Sequence, residues 1–584
     1  MAMTNPLVSD KNVQFMLYEV LRADELCALP YFAGHSRETF DMVLASARKL
    51  AREVLFPAFK PMDAEPPRLE GGQLRTHPAM REIWPRLFEL GLGAAVRPNA
   101  VGGQQLPHTV GLFAAHYLMA ANAAAMGYVG LTQGAAHLIE AFGSDFLKRE
   151  FMPRMYAGEW SGTMALTEPH AGSSLADVAT RARPTAEGHY LIEGNKVFIS
   201  GGDQDFTANI VHLTLARIDG APAGIKGVSL FAIPKKRLDG ADNDCTCAGA
   251  FHKLGWKGLP SIALNFGERG ACRGWLVGEP HQGIAQMFQM MNEARLMVGL
   301  NAASTASAAY FESLEYARTR PQGRPLTSRD PSAPQVPIVE HADVRRMLLR
   351  QKAIVEGALA LLGTAARQAD LAEHGATADD RRRAQLVLDL LTPVAKTFPA
   401  EKGFESNALA LQIHGGYGYT SEYLPEAWLR DQKLNSIHEG TSGIQSLDLL
   451  GRKAVAGGGA ALVALNEEIE STLAKASGLD PSWIAAVRDA VGAMGEVTLE
   501  LAQRDRDGML LHAADYMEMV GTVLVAWQWV AQAAAALPAR DDFRRGKLAA
   551  AQYWIRTELP RAAQLAELCR SGEDSYAKLR PEQL

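Results

Sequence analysis

Apolar spacing in this chain changes near Trp160 and changes back near Ile284, and that double switch constrains the fold more than any single residue. Up to about residue 160 apolar residues recur at helical spacing, as in Val43, Leu44, Ala47, Leu50, Ala51 and Leu55. From Tyr190 to Phe266 they fall into short runs of strand type, such as Ile210 to Ala216 and Gly227 to Ile233. From Ile284 the helical spacing returns and persists toward the C-terminus. The expected class is α+β, mostly α. A helical domain occupies 1–160, a middle antiparallel β domain 161–279 and a C-terminal four-helix bundle 280–455. An extra α-helical extension occupies 456–584, its boundary set by Ala456-Gly-Gly-Gly459. Within this plan Pro57 ends the helix begun at Met42, and Glu193-Gly194-Asn195 turns a hairpin. The segment Pro321 to Pro337 is a loop.

Length and charge narrow the function classes. A chain of 584 residues holds several domains, and 47% hydrophobic with 21% charged residues is ordinary for a globular protein. The net charge is -6, and 455–584 alone carries 13 basic against 18 acidic residues, which disfavours a nucleic-acid partner. Five scattered cysteines with no secretion signal in Met1 to Lys11 fit a reducing, cytoplasmic setting. Cys245-Thr-Cys247 lacks zinc spacing and a second pair, so no metal site is read. Thr109 to Ile139 and Met519 to Leu537 are free of charge. The first carries His116, Asn122, Gln133 and His137, and the second is alanine-rich with Gln528 and Gln532. Both read as buried bundle helices rather than transmembrane segments, with peripheral membrane contact left open for the second.

The stretch Ser436 to Gln445 concentrates the chemistry. Glu439 stands beside Gly440, where the backbone can approach a ligand closely, and Thr441 and Ser442 can cap the helix that follows. A carboxylate just ahead of a helix N-terminus suits a general base next to an anion-stabilising amide. There is no GxGxxG after a strand, so no Rossmann cofactor site is read.

Ile437-His438-Glu439-Gly440-Thr441 resembles the active-site signature of the acyl-CoA dehydrogenases, usually Ile-Tyr-Glu-Gly-Thr. Three further segments resemble that family in order and separation: Met164-Ala-Leu-Thr167-Glu168-Pro169-His-Ala-Gly172-Ser173, Asn195-Lys-Val-Phe198-Ile199-Ser200, and Gln412-Ile-His-Gly415-Gly416-Tyr-Gly418. The resemblance covers roughly Phe40 to Lys453, and the extra C-terminal helices resemble a longer bacterial branch. It implies FAD, with contacts from Met164, Leu166, Thr167, Gly172, Ser173, Phe198, Ile199 and Ser200. From a neighbouring subunit it implies Arg320, Gln412, Gly415 and Gly416, with Thr441 and Gly443 following the base. Guanidinium suits a diphosphate because it forks onto phosphate oxygens. Ser173, Asn292, Arg295 and Gly440 are implied on the acyl-CoA substrate, and Asn292 and Arg295 share a helix face.

The reaction implied is α,β-dehydrogenation of an acyl-CoA thioester, with Glu439 removing the α-proton and a hydride passing to flavin. Electrons then pass to an electron-transfer flavoprotein. A homodimer is expected, because the extra helices cover the face that shorter members use for tetramers. His438, Phe198, Ser174 and Asn292 depart from the usual Tyr, Trp, Asp and Asp, so the acyl chain is left open. The alternatives are an acyl-CoA oxidase using O2 and a DNA-associated flavoprotein of the alkylation-response type. The acidic extension speaks against the second.

Overall fold

The computed structural model describes residues 5–325, 327–328 and 330–584, without the side chains of 289 and 290. Part of the N-terminal segment read for a signal, and two positions of the Pro321 to Pro337 loop, lie outside the described residues. The chain forms two compact units. One comprises Glu38–Leu106 and Tyr117–Met297; the other runs up to Arg37 and includes Pro107–His116 and Val298–Leu584.

In the first unit the helix Arg37–Leu50 passes through a widened π turn, Ala51–Leu55, into the helix Phe56–Ala64. Pro57 therefore does not end the helix. It sits in the first turn after the π segment, where a missing N–H costs little. A small hairpin, β1 (Arg68–Glu70) and β2 (Gln73–Arg75), precedes the helix Met80–Glu89. The uncharged stretch divides at Asn122, whose side chain caps the helix Ala123–Phe142 by accepting from the Ala125 amide at 3.0 Å. Among the described residues no helix is long and apolar enough to cross a membrane.

The sheet of this unit comprises β3 (Trp160–Ala165), β4 (Arg181–Pro184), β5 (Tyr190–Ser200), β6 (Asn209–Ile218), β7 (Val228–Pro234), β8 (Cys245–Ala250), β9 (Ser261–Phe266) and β10 (Arg273–Val277). The main path runs β10-β7-β6-β4-β5-β9-β8, with β3 on β6. Pairing is antiparallel except that β3 and β4 both run parallel to β6. One face packs on Ala135, Ile139, Leu147 and Phe151; the other gathers Ile192, Ile199, Phe231, Ile262 and Phe266.

The hairpin turn expected at Gly194 does not form, and β5 runs straight through it. Both halves of β5 find partners, with Glu193 opposite Arg181 on β4 and Asn195 opposite Asn265 on β9. A Cβ on Gly194 would lie 2.5 Å from the Thr180 hydroxyl, so the glycine serves a close approach rather than a turn.

In the second unit the long helices Gly283–Thr319 (from Val298 onward), Ala342–His374 and Ala378–His414 lie in a bundle. Thr377 and Asp380 close a capping box on the third of these. The fourth position of the bundle is interrupted: Pro425–Lys433, then the loop containing Glu439, then Ser442–Asp448 continuing into the π turn Leu449–Ala454. Gly457, Gly458 and Gly459 are all left-handed (φ 56°, 68° and 83°), a run that side chains resist, and they start the extension.

The extension belongs to the same compact unit as the bundle. Its helix Ala513–Ala535 lies on Ala342–His374, where the Trp529 indole donates to the Ala353 carbonyl at 3.1 Å. A Cβ on Gly357 would sit 2.6 Å from Val525, so that glycine permits the approach. The helix Asp542–Tyr553 adds Lys547, fully buried, whose ammonium contacts Glu356 at 2.8 Å and Gln532 at 2.7 Å and also meets Asn12.

Candidate active site

Glu439 has a left-handed backbone (φ +53°), and Gly440 follows at φ +83°. A carboxylate residue in that region stores strain, which persists only where neighbours over-determine it. Here they do. The Gln445 amide donates to the Glu439 carbonyl at 3.1 Å, and the Lys396 ammonium donates to the Gly440 carbonyl at 2.9 Å. Thr441 caps the next helix by accepting from the Ile444 amide at 3.3 Å, while Ser442 turns instead to the Glu401 carboxylate. Of the two hydroxyls expected to cap, one does. Glu439 is half-buried, Gly443 is exposed, and Ile437 stands open to solvent.

In the same unit Arg320 and the turn Gly415–Tyr419 come together. The Arg320 guanidinium lies over the Tyr417 ring at 5.5 Å, and both residues are exposed, as are Gln412, Gly415 and Gly416. His414 anchors the turn from below: its ring stacks on Tyr316 at 4.2 Å, and burial holds the imidazole below its ordinary pKa although Ala410 accepts from it. Arginine and open glycine backbone on one exposed patch suit a diphosphate.

In the other unit the two predicted flavin-contact segments are tied to each other. The Val197 amide donates to the Thr167 carbonyl at 2.9 Å. Beneath that link Lys196, fully buried, meets Glu168 at 2.8 Å, the Leu215 carbonyl at 2.8 Å and the Leu166 carbonyl at 3.1 Å, which satisfies all three ammonium protons. Glu168 also accepts from the Thr180 hydroxyl at 2.6 Å, the Thr180 amide and the Ala179 amide. Burial alone would raise the Glu168 pKa, but Lys196 and these donors hold it below the carboxylate range. Burial pulls Lys196 the other way, down to about 8.

Beyond this pair β5 bulges between Lys196 and Ile199, and Phe198 takes a left-handed φ of +58°. Its ring is 63% exposed and stacks on Phe251 with centroids 4.7 Å apart. Ile199 and Met164 point into the core, so only their backbones can serve a ligand. Gly172 and Ser173 are exposed, and Leu166, Thr167 and Ser200 are half-buried. Asn292 is half-buried and Arg295 buried on the helix Gly283–Thr319. An aromatic face pushed outward on a strained bulge, beside hydroxyls and open amides, fits the rim of an isoalloxazine.

Sequence reasoning gave no role to Glu168, Lys196, Lys396 or Gln445. The first two lie inside the quoted motifs, and a Lys–Glu exchange across two apolar runs was their only signal. Lys396 stands between Pro393 and Pro399 in an otherwise apolar stretch of helix, a position where a charge needs a reason.

The bulged rim around Phe198, Thr167 and Ser200 has the chemistry of a site for a planar cofactor. Four family models match in sequence order: the acyl-CoA dehydrogenase N-terminal domain over 37–159, the middle domain over 163–268, the C-terminal domain over 281–454, and an acetyl-CoA dehydrogenase C-terminal-like model over 465–580. The chain is 33% identical to the 3-methylmercaptopropionyl-CoA dehydrogenase of Ruegeria pomeroyi over 94% of this chain and 95% of that one. It is 34% identical to the broad-specificity linear acyl-CoA dehydrogenase FadE5 of Mycobacterium tuberculosis, over 97% of each. The fold is shared with Caenorhabditis elegans ACDH-11 in complex with C11-CoA (TM-score 0.80, 20% identity, 95% and 92% coverage). It is also shared with a Bacillus anthracis acyl-CoA dehydrogenase complexed with FAD (TM-score 0.74, 20% identity, 93% and 90% coverage). The chain belongs to the acyl-CoA dehydrogenase family and is an FAD-dependent oxidoreductase.

Proposed function

We propose that this protein catalyses α,β-dehydrogenation of an acyl-CoA thioester to the trans-2-enoyl-CoA, with Glu439 as the base that takes the α-proton. The observation that carries the reading is the Glu439–Gly440 turn, a left-handed carboxylate braced by Lys396 and Gln445 at the head of a capped helix. FAD, when bound, supplies the acceptor for the β-hydrogen as hydride. Asn292, Arg295, Ser173 and Gly440 are assigned to the acyl-CoA. Met164, Leu166, Thr167, Gly172, Ser173, Phe198, Ile199, Ser200, Thr441 and Gly443 are assigned to FAD. Exposure of Arg320, Gln412, Gly415 and Gly416 on one patch supports their reaching the FAD of a second copy, which makes the working form a homodimer. An electron-transfer flavoprotein is the proposed acceptor, and the cytoplasm the proposed site. The names of the two full-length relatives support an acyl-CoA substrate without fixing the chain.

The test is anaerobic flavin bleaching over acyl-CoAs from propionyl to palmitoyl, including a methylthio analogue, in wild type and Glu439→Gln. The variant is expected to keep its flavin and to lose at least about 10²–10⁴-fold in turnover. Activity like wild type in Glu439→Gln removes the assignment.

A further inference from the structure

Lys396 is buried within the helix Ala378–His414, and its side-chain nitrogen lies 2.9 Å from the Gly440 carbonyl oxygen, one residue beyond Glu439. Burying an ammonium is costly, and an apolar side chain of the same length would fill the space between the helices. The reason for a charged donor is therefore sought at the loop it touches.

Peptide geometry supplies it. Each peptide unit is planar and trans, so its C=O and N–H point in opposite directions. The Glu439 carbonyl is drawn toward Gln445 and the Gly440 carbonyl toward Lys396. The N–H groups of Gly440 and Thr441, which share those two peptides, are thereby turned away from Gln445 and Lys396. Two successive carbonyls held this way also lock the positive φ at Glu439, which an unbraced non-glycine residue leaves for β or α backbone, while Gly440 accepts its own positive φ without strain. A Cβ on Gly440 would lie 2.6 Å from the Gln445 amide nitrogen, so the loop and its braces fit without slack. The charged or titratable groups at this loop include Glu401, which takes the Ser442 hydroxyl, and His438, the chain neighbour of Glu439, with Arg430 and Asp431 just upstream on the helix Pro425–Lys433.

We propose that Lys396 is a positioning residue for the proton-abstracting step: its buried ammonium grips the Gly440 carbonyl, sets the left-handed turn that aims Glu439, and keeps a positive charge behind the base. This rests on the reading of Glu439 as the base, and it assigns to the neighbouring helix a function beyond packing.

The test compares holoenzymes of wild type, Lys396→Met, Lys396→Gln and Glu439→Gln, normalised to bound flavin. Lys396→Met loses donor and charge, and a base misplaced by about 1 Å costs on the order of 10²-fold in kcat. KM is expected to stay within about threefold by the same reasoning, because the aim of the base contributes to the transition state rather than to substrate binding. Lys396→Gln keeps a donor of nearly the same reach and is expected to recover part of kcat. Both variants remove the charge, so the acid limb of kcat/KM against pH should move to higher pH in both. A purely structural lysine would instead lower flavin content and thermal stability while leaving kcat per flavin and the pH limb unchanged, and that result overturns the proposal. If Lys396→Met does not fold, Lys396→Gln decides by the same two readouts. An inactive Glu439→Gln with wild-type behaviour in the Lys396 variants removes only the role of Lys396; an active Glu439→Gln removes the base itself.

Discussion

Glu168→Gln removes the carboxylate that faces Lys196 and changes almost no volume. The Lys196 side chain has no exposure, and Glu168 gathers four donors: the ammonium, the Thr180 hydroxyl and amide, and the Ala179 amide. Glutamine can still accept from some of these but cannot neutralise the ammonium. Breaking a buried pair by deleting one partner costs about 3–5 kcal/mol, because an uncompensated charge stays behind. At about 1.4 kcal/mol per factor of ten, that is roughly 10²- to 10⁴-fold in the opening equilibrium of this part of the sheet. Native-state hydrogen exchange reads it directly at two amides, Thr180 on Glu168 and Val197 on Thr167. Both should exchange faster by that factor, while amides of the helix Ala513–Ala535 should not change. Replacing the charge on both sides, Glu168→Gln with Lys196→Met, should return most of the protection, since no buried charge then stays unpaired and glutamine still accepts from Thr180 and Ala179. A change below tenfold in Glu168→Gln, or a double variant no better than the single one, would refute the view that this pair clamps the loop around Thr167 to β5.

Two further outcomes concern stability. Burial lowers the imidazoles of His116, which bonds Ser304 at 2.8 Å, and of His212 to about 3 from an ordinary 6.5. The unfolded chain thus binds protons that the folded one refuses. The stability these groups contribute is fully present above 6.5 and is lost as pH falls toward 3, about 2 kcal/mol for each at pH 5. His116→Gln should flatten the decline of the melting temperature between pH 7 and 5, and an unchanged slope would contradict this account. At the extension, Glu356 faces two lysines, Lys352 and Lys547. Glu356→Gln leaves the buried Lys547 ammonium and the half-buried Lys352 ammonium without their carboxylate and should cost about 3–5 kcal/mol, whereas Lys547→Met leaves one neutral pair and should cost far less. Thermal melts that reverse this order would show that charge balance does not govern the cluster.

Helices and strands followed from spacing because apolar periodicity records which face is buried, and burial dominates local choice. Where pattern reading failed, a tertiary contact or an irregular turn of the backbone had overruled a local signal. Gly194 carries a turn signature, yet strands on both sides hold it extended and Thr180 uses the space its missing Cβ leaves. Pro57 reads as a stop, yet a π turn ahead of it lets the helix continue. At the site, the loop and cap around Glu439 are legible from the glycine, threonine and serine beside it, while its role as a base comes from the resemblance of Ile437 to Thr441 to the family signature. The braces are not legible, because Lys396 lies 43 positions upstream, a separation that carries no periodic trace. Ile199 and Met164 sat within recognisable motifs, but only coordinates show that their side chains face the core.

The unit that carries Glu439 draws on three distant portions of the chain, ending with helices that begin past residue 456. Asn12 near the start meets Lys547 near the end, and Asn5 bonds Glu312 at 2.8 Å. During synthesis the earliest segment must therefore wait for more than five hundred residues before its partner emerges. Until then the groove beside Gly357 and Ala353, which Trp529 fills, lies open. Clipping off the last helices would not yield a smaller enzyme but an unfinished one, with apolar surface facing water and Glu356 left with Lys352 as its one remaining lysine partner of the two.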